Sequence, residues 1–232
     1  MFAEIQKADH VVTISDTTLN NLLELKIVNP SKCSCIPLGV EPISKLKKII
    51  NEKIEPILNL KYILFVGALE MRKNLEHLLT ALLHLNDFHL VIAGSPGFGF
   101  KESIEPLLKK FPKQRLHLLQ NVERSDIAYL YESAFATLYP TWEEGFGLPI
   151  LEAMVHGSPI ITSNRSANAE VGGDAAILVN PENPSESTEA IMKLQENEEF
   201  RKKKIADGFI HAKKYSWQTY TERLYNLYSS LL

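Results

Sequence analysis

Apolar residues fall along this chain in short runs separated by longer mixed stretches. The runs occupy residues 10–14, 34–37, 62–66, 89–93, 116–119, 135–139, 159–162 and 176–179. Most are almost continuously apolar rather than alternating, as expected of strands in a parallel sheet covered on both faces. Between them, residues 17–25, 74–85, 104–111, 126–132 and 149–156 carry helical patterns. Strand and helix alternating at this spacing predict right-handed βαβ units, hence an α/β fold built on a doubly wound parallel sheet. After Pro184 the pattern changes, and three helical stretches follow with no strand between them. In the last of these, Trp217, Tyr220, Leu224, Tyr228 and Leu231 recur at intervals of three and four and make one apolar stripe.

The beginning of the chain does not fit the main series. A strand, a helix and a second strand precede a charged stretch at 41–55, and the regular alternation starts only at Tyr62. Residues 1–42 therefore read as the end of one α/β unit, 43–58 as a connector, and 59–232 as a second unit.

Composition removes several function classes. The 232 residues are 45% hydrophobic and 23% charged, which excludes a disordered chain or a disulfide-stapled miniature. A net charge of −3 gives no electrostatic footprint for nucleic acid. Cys33 and Cys35 lie in one apolar run with no second Cys/His pair at a zinc spacing, so they are expected to be reduced core thiols rather than metal ligands. Residues 1–10 carry Glu4, Lys7 and Asp9 where a signal peptide needs an apolar segment. No apolar run approaches the roughly 18 residues of a membrane span. The expectation is a soluble, cytoplasmic protein whose membrane contact is at most peripheral, at the inner membrane face.

The most informative stretch is residues 139–159. A strand runs into Pro140-Thr-Trp-Glu-Glu-Gly-Phe-Gly-Leu-Pro149, and a helix follows as far as His156. Pro149 suits the first helical turn and Gly157 the position just past the helix end. Gly145-x-Gly147 thus stands at a helix N-terminus, where backbone N–H groups and the dipole favour an anion. Glu144 precedes the turn and Glu152 lies just inside the helix, so both carboxylates flank the mouth of one site. A tight turn with two solvated glutamates explains the same residues equally well. The motif is not a dinucleotide fingerprint, because Ile150 stands where the third glycine would fall, and no Lys-Ser/Thr pair makes it a Walker A loop.

A second cluster follows the strand at 62–66: Gly67-Ala-Leu-Glu-Met-Arg72-Lys73-Asn74. Two adjacent cations before a helix can be an exposed basic pair. They can also be a phosphate grip, Arg offering a fork and Lys a point charge. Their place after a strand's carboxyl end favours the second reading.

At this point the sequence resembles a known family. Glu144-Gly-Phe-Gly-Leu-Pro-Ile-Leu-Glu152-Ala-Met is similar to the glutamate–seven residues–glutamate signature of glycosyltransferase family 4, mostly retaining enzymes of the GT-B fold. Phe65-Val-Gly-Ala-Leu-Glu-Met-Arg-Lys-Asn-Leu75 resembles the family's phosphate loop. Leu90-Val-Ile-Ala-Gly94, Asp126 to Tyr131, Glu170-Val-Gly-Gly-Asp-Ala-Ala176 and Ser216-Trp217 follow in the family's order. The resemblance implies a retaining, hexosyltransferase-type transfer from a nucleoside-diphosphate sugar to an acceptor glycan or lipid, as in polysaccharide biosynthesis. It implies no metal and no cofactor beyond the donor.

Residue by residue, the resemblance puts Lys73 and Arg72 on the donor's diphosphate, together with the backbone of Gly67, Gly145, Phe146, Gly147 and Leu148. Glu144 faces hydroxyls of the transferred sugar, and Glu152 receives the ribose hydroxyls. Gly94, Asn121 and Val122 surround the nucleobase. The chain departs from the family at Ala68, where many relatives carry arginine. It also departs in length, since the family's complete acceptor domain precedes the segment that 1–42 resembles. A donor-binding module inactive alone, one half of a split enzyme or a degenerate remnant, is the alternative. The resemblance has the helix at 216–231 cross back onto the acceptor domain. Its stripe is therefore expected to be exposed here, for self-association or for an acceptor-domain partner.

Three lesser features are expected to be structural. His156 caps carbonyls at its helix end. The loop from Gly94 to Gly99 is mobile beside the nucleotide, because Pro96 removes a donor from any phosphate cradle. The basic run 201–204 with Lys213 and Lys214 is a solvated helix face.

Overall fold

A computed structural model describes residues 2–43 and 51–232 of the chain, so part of the expected connector, 44–50, lies outside the described residues. The first unit holds α1 (Phe2–Ile5), β1 (Val11–Thr13), α2 (Asp16–Glu24) and β2 (Cys33–Cys35), with β1 and β2 forming a two-stranded parallel sheet. Then come α3 (Glu55–Leu58), β3 (Tyr62–Val66), α4 (Leu75–Leu82), β4 (His89–Ala93), α5 (Glu105–Leu108) and β5 (Leu116–Leu119). They are followed by α6 (Arg124–Ser133), β6 (Ala136–Tyr139), α7 (Leu148–Val155), β7 (Ile160–Ser163), α8 (Ser166–Gly172) and β8 (Ile177–Val179). Three helices end the chain: α9 (Pro184–Glu196), α10 (Glu198–Ala212) and α11 (Trp217–Leu231).

The expected strands and their parallel sheet are present. Six of them pair in the order β5-β4-β3-β6-β7-β8, all parallel. Every residue of β3 is buried, as the continuous apolar run required of a central strand covered on both faces. The chain winds outward from β3 through β4 to β5, then returns to β6 on the other side of β3. The strand order therefore reverses between β3 and β6. In open α/β sheets such a reversal opens a crevice beyond the strands' carboxyl ends.

Helix boundaries follow local chemistry. Ser15 accepts a hydrogen bond from the Thr18 N–H and starts α2, while Asn197 and Ser216 cap α10 and α11 in the same way. Asn74 adopts a left-handed φ of 55°, so the helix expected from residue 74 begins at Leu75. The helix expected over 104–111 is shorter, α5 ending at Leu108 with Pro106 in its first turn, and a wide turn at Phe100–Ile104 leads into it. Ile43, Ile54 and Ile57, on either side of the undescribed residues, are buried in the main core.

Two expectations need correction. Cys33 and Cys35 are free thiols, but half-buried rather than in the core, because β2 belongs to a two-stranded sheet and not to the layered six-stranded one. Burial and the neighbouring Asp16 push the Cys35 thiol up to about 12, so it stays protonated and unreactive. At His156 the structure shows a different contact from the expected carbonyl cap. Its Nε2 accepts the Ile43 N–H at 2.9 Å, and its ring stacks on Tyr131, which ties residue 43 to the end of α7.

Within α11 no residue is buried, and Trp217, Tyr225, Tyr228 and Leu231 expose much of their surface. Among the described residues, no helix is long and apolar enough to cross a membrane.

Candidate functional site

The crevice at the β3/β6 reversal is built by two loops stitched together. After β3, a single 3-10 turn, Met71–Lys73, directs Lys73 inward and leaves Arg72 at the surface. After β6 comes the loop 140–147. The Trp142 N–H donates to the Arg72 carbonyl at 3.0 Å, and Asn74 Nδ2 donates to the carbonyls of Pro140 and Pro181 at 3.0 and 2.9 Å. Behind the loop, the buried Asn168 donates from Nδ2 to Thr141 Oγ1 at 2.7 Å.

These connections bring the expected charges together. Lys73 Nζ lies 2.6 Å from Glu144 Oε1, and Arg72 Nη1 lies 2.9 Å from the same oxygen. The Lys73 and Glu144 side chains keep only 8% and 9% of their exposure, whereas Arg72 keeps 49%. A buried ammonium needs such a partner, since removing either charge leaves the other desolvated and unpaired. Burial works against the Arg72 charge, but the carboxylates of Glu144 and Glu70 outweigh it and hold the guanidinium above its ordinary pKa.

The Tyr139 phenol completes the cluster. It accepts from Lys73 Nζ at 2.5 Å and donates to Glu144 Oε1 at 3.0 Å. Burial raises its pKa, and the Glu144 charge raises it further, so the O–H is retained at neutral pH.

Beside the cluster stands the N-terminus of α7. Gly147 takes φ +96°, and a Cβ there would lie 3.0 Å from Ile150 Cδ1 and 3.1 Å from Asn168 Oδ1. A Cβ on Gly145 meets nothing within 4 Å. The Phe146 side chain is buried edge-on against Tyr215, so this residue offers the crevice its backbone. The first N–H groups of α7 have no intrahelical acceptor. An anion in the crevice therefore meets two cations and a helix N-terminus.

Glu152 lies further along α7 and accepts from Tyr131 Oη at 3.2 Å. Burial raises its carboxyl pKa, while the Tyr131 hydrogen bond and the Arg124 charge pull the other way. Gly67, Gly94 and Asn121 follow β3, β4 and β5 on the same sheet edge, and Val122 is half-buried next to Asn121. A Cβ on Gly94 would sit 1.8 Å from the Gly67 carbonyl oxygen, so close packing of the two loops already requires this glycine. The loop expected to be mobile is laced to the phosphate loop: the Leu69 N–H donates to Ser95 O at 2.9 Å, and the Gly97 N–H to Leu69 O at 3.2 Å.

Tyr139, Tyr131, Asn74 and Asn168 were not legible as site residues. Their role comes from partners distant in sequence, and the one available signal was a tyrosine ending the strand before Glu144. The basic run is a solvated face at Lys202, Lys203, Lys213 and Lys214, which are exposed, while Lys204 is half-buried and donates to the Asp174 carbonyl at 2.7 Å. Among the described residues, Asp16, Cys35 and Glu170 alone bring three possible metal-ligand atoms within 4.8 Å, at the start of α2, where Thr18 reaches the Gly145 carbonyl at 3.5 Å. Glu170 is already occupied there, accepting the N–H groups of Asp16 and Thr17 at 2.9 and 2.8 Å.

A family model described as glycosyl transferases group 1 matches residues 47–209. The chain is 33% identical over 176 residues to an O-antigen chain mannosyltransferase B of Escherichia coli, covering 73% of this chain and 46% of that protein. It spans about half the length of the curated relatives it matches. Among solved structures, the sucrose-phosphate synthase of Thermosynechococcus elongatus superposes with a TM-score of 0.84 at 20% identity, over 99% of this chain and 60% of that one. An Anabaena protein in complex with UDP and glucose superposes at 0.81 and 20% identity, over 96% and 63% of the respective chains.

Proposed function

The chain belongs to the group 1 glycosyl transferases, and from that premise we propose that it binds a nucleoside-diphosphate sugar and transfers the sugar, with retention of anomeric configuration, to an acceptor glycan or lipid. The observation carrying this reading is the meeting of Lys73, Arg72 and Glu144 beside the N-terminus of α7, at the sheet's strand-order reversal.

Lys73 and Arg72 hold the diphosphate, with the backbone of Gly67 and of Gly145 to Leu148 around it. Glu144 accepts hydrogen bonds from hydroxyls of the transferred sugar. Glu152, fixed by Tyr131, receives the ribose hydroxyls, and Gly94, Asn121 and Val122 border the base. In the reaction, the acceptor hydroxyl oxygen bonds to the anomeric carbon and its proton passes to the released diphosphate. The bond from the anomeric carbon to the oxygen of the distal phosphate breaks and its electron pair stays with the diphosphate. The two cations and the α7 N–H groups stabilise that growing charge as preorganised electrostatics. The Anabaena structure with UDP and glucose supports a nucleotide-sugar donor. The name of the Escherichia coli relative makes mannose the first sugar to test. We take the domain division to be 1–42, 43–58 and 59–232, and the reaction to need no metal.

A second reading is favoured by the exposed face of α11: the described residues are a donor-binding module, inactive alone, whose acceptor domain meets α11. One experiment separates the two. GDP-mannose and UDP-glucose are incubated with candidate glycan and lipid acceptors, nucleoside-diphosphate release is followed, and the product's anomeric configuration is read by NMR. The account expects release by wild type and a loss in Lys73→Ala of about 2.7–4 kcal/mol in barrier, roughly a hundred- to a thousandfold in rate. Nucleotide binding without transfer or hydrolysis supports the donor-binding module, and an inverted product contradicts retention.

A further inference from the structure

One oxygen, Glu144 Oε1, receives three donors: Lys73 at 2.6 Å, Arg72 at 2.9 Å and Tyr139 at 3.0 Å. Two of the three are the cations that the proposed donor must claim. A diphosphate at the α7 N-terminus competes with Glu144 for both of them and repels its carboxylate. Tyr139 is not subject to this competition. It is uncharged and buried, its carbonyl accepts the Thr162 hydroxyl at 2.8 Å, and its ring stacks on Phe65 with centroids 5.7 Å apart. Because Lys73 donates to the phenol oxygen, the phenol's own hydrogen points to Glu144.

We propose that Tyr139 is a positioning residue for sugar transfer: its hydroxyl keeps Glu144 aimed at the donor sugar once the diphosphate has drawn Lys73 and Arg72 away from that carboxylate. The inference rests on the donor reading above. It gives Tyr139 an effect that is larger when a sugar is present. In the free chain Lys73 and Arg72 still hold Glu144, and a nucleoside diphosphate without sugar does not use Glu144 at all.

Tyr139→Phe removes the oxygen and keeps the stacked ring. Calorimetric titrations with UDP, GDP, UDP-glucose and GDP-mannose on wild type and variant, with a thermal melt of each, test the assignment. The variant also loses the Lys73 hydrogen bond to the phenol, and it is expected to weaken sugar-nucleotide binding more than nucleoside-diphosphate binding. The ratio of sugar-nucleotide to nucleoside-diphosphate dissociation constants rises about tenfold, as for loss of one hydrogen bond to a charged group. In a Glu144→Gln background the same substitution adds nothing to that ratio, because the two residues act as one unit. Equal weakening of both ligand classes, or an unchanged ratio, overturns the assignment while leaving the donor reading intact. So does full additivity with Glu144→Gln. Wild type that is folded and binds none of the four ligands overturns the donor reading, and the assignment with it.

Discussion

Gly147 holds a left-handed backbone, φ +96°, at the entrance to α7, and the first N–H groups of that helix face the crevice because the chain turns there. An alanine at this position is strained in its backbone, and its methyl carbon would lie 3.0 Å from Ile150 and 3.1 Å from Asn168. Gly147→Ala is therefore expected to lower the unfolding free energy by about 1–3 kcal/mol in urea titration. An unchanged midpoint would show that the loop can turn another way. At this scale the sequence disclosed the charges well. Arg72, Lys73 and Glu144 could be placed because each follows a strand end, a position that periodicity alone supplies. It did not disclose Tyr139, Asn168 or the contact between His156 and Ile43. A buried tyrosine reads as core until the lysine and carboxylate on either side of its hydroxyl are known.

At the scale of elements, β3 and β6 position the site and α8 fixes the first unit against it. Glu170, on α8, accepts the N–H groups of Asp16 and Thr17 and the Thr17 hydroxyl at 2.8 Å, and so closes the N-terminus of α2 from across the molecule. None of the residues of α2 is buried, so this carboxylate is a main anchor for that helix. A capping carboxylate of this kind contributes about 1–2 kcal/mol. Glu170→Ala is expected to speed hydrogen exchange in α2 while β3 to β8 keep their protection. Equal loss in both regions would show that α2 and the six-stranded sheet open as one cooperative unit. The strands were legible to within about a residue because continuous apolar runs carry their own signal. The helix expected over 104–111 was legible at its start but not at its end, since α5 stops at Leu108.

For the whole molecule, one sheet edge gathers Gly67, Gly94, Asn121 and the Glu144 loop from four strands, and the strand-order reversal places the cations and the carboxylate together. The parallel order was foreseeable from strand–helix alternation, and the crevice follows from that order. α11 presents Trp217, Tyr225 and Tyr228 to solvent, and the chain spans about half the length of the curated relatives it matches. The central claim is that Lys73 and its neighbours form a working donor site. Its most direct test is calorimetric titration of wild type and Lys73→Ala with UDP, GDP and ADP. The account predicts saturable binding of one nucleotide, weakened at least tenfold by the substitution, or about 1.4 kcal/mol. Folded wild-type protein that binds none of the three would contradict it.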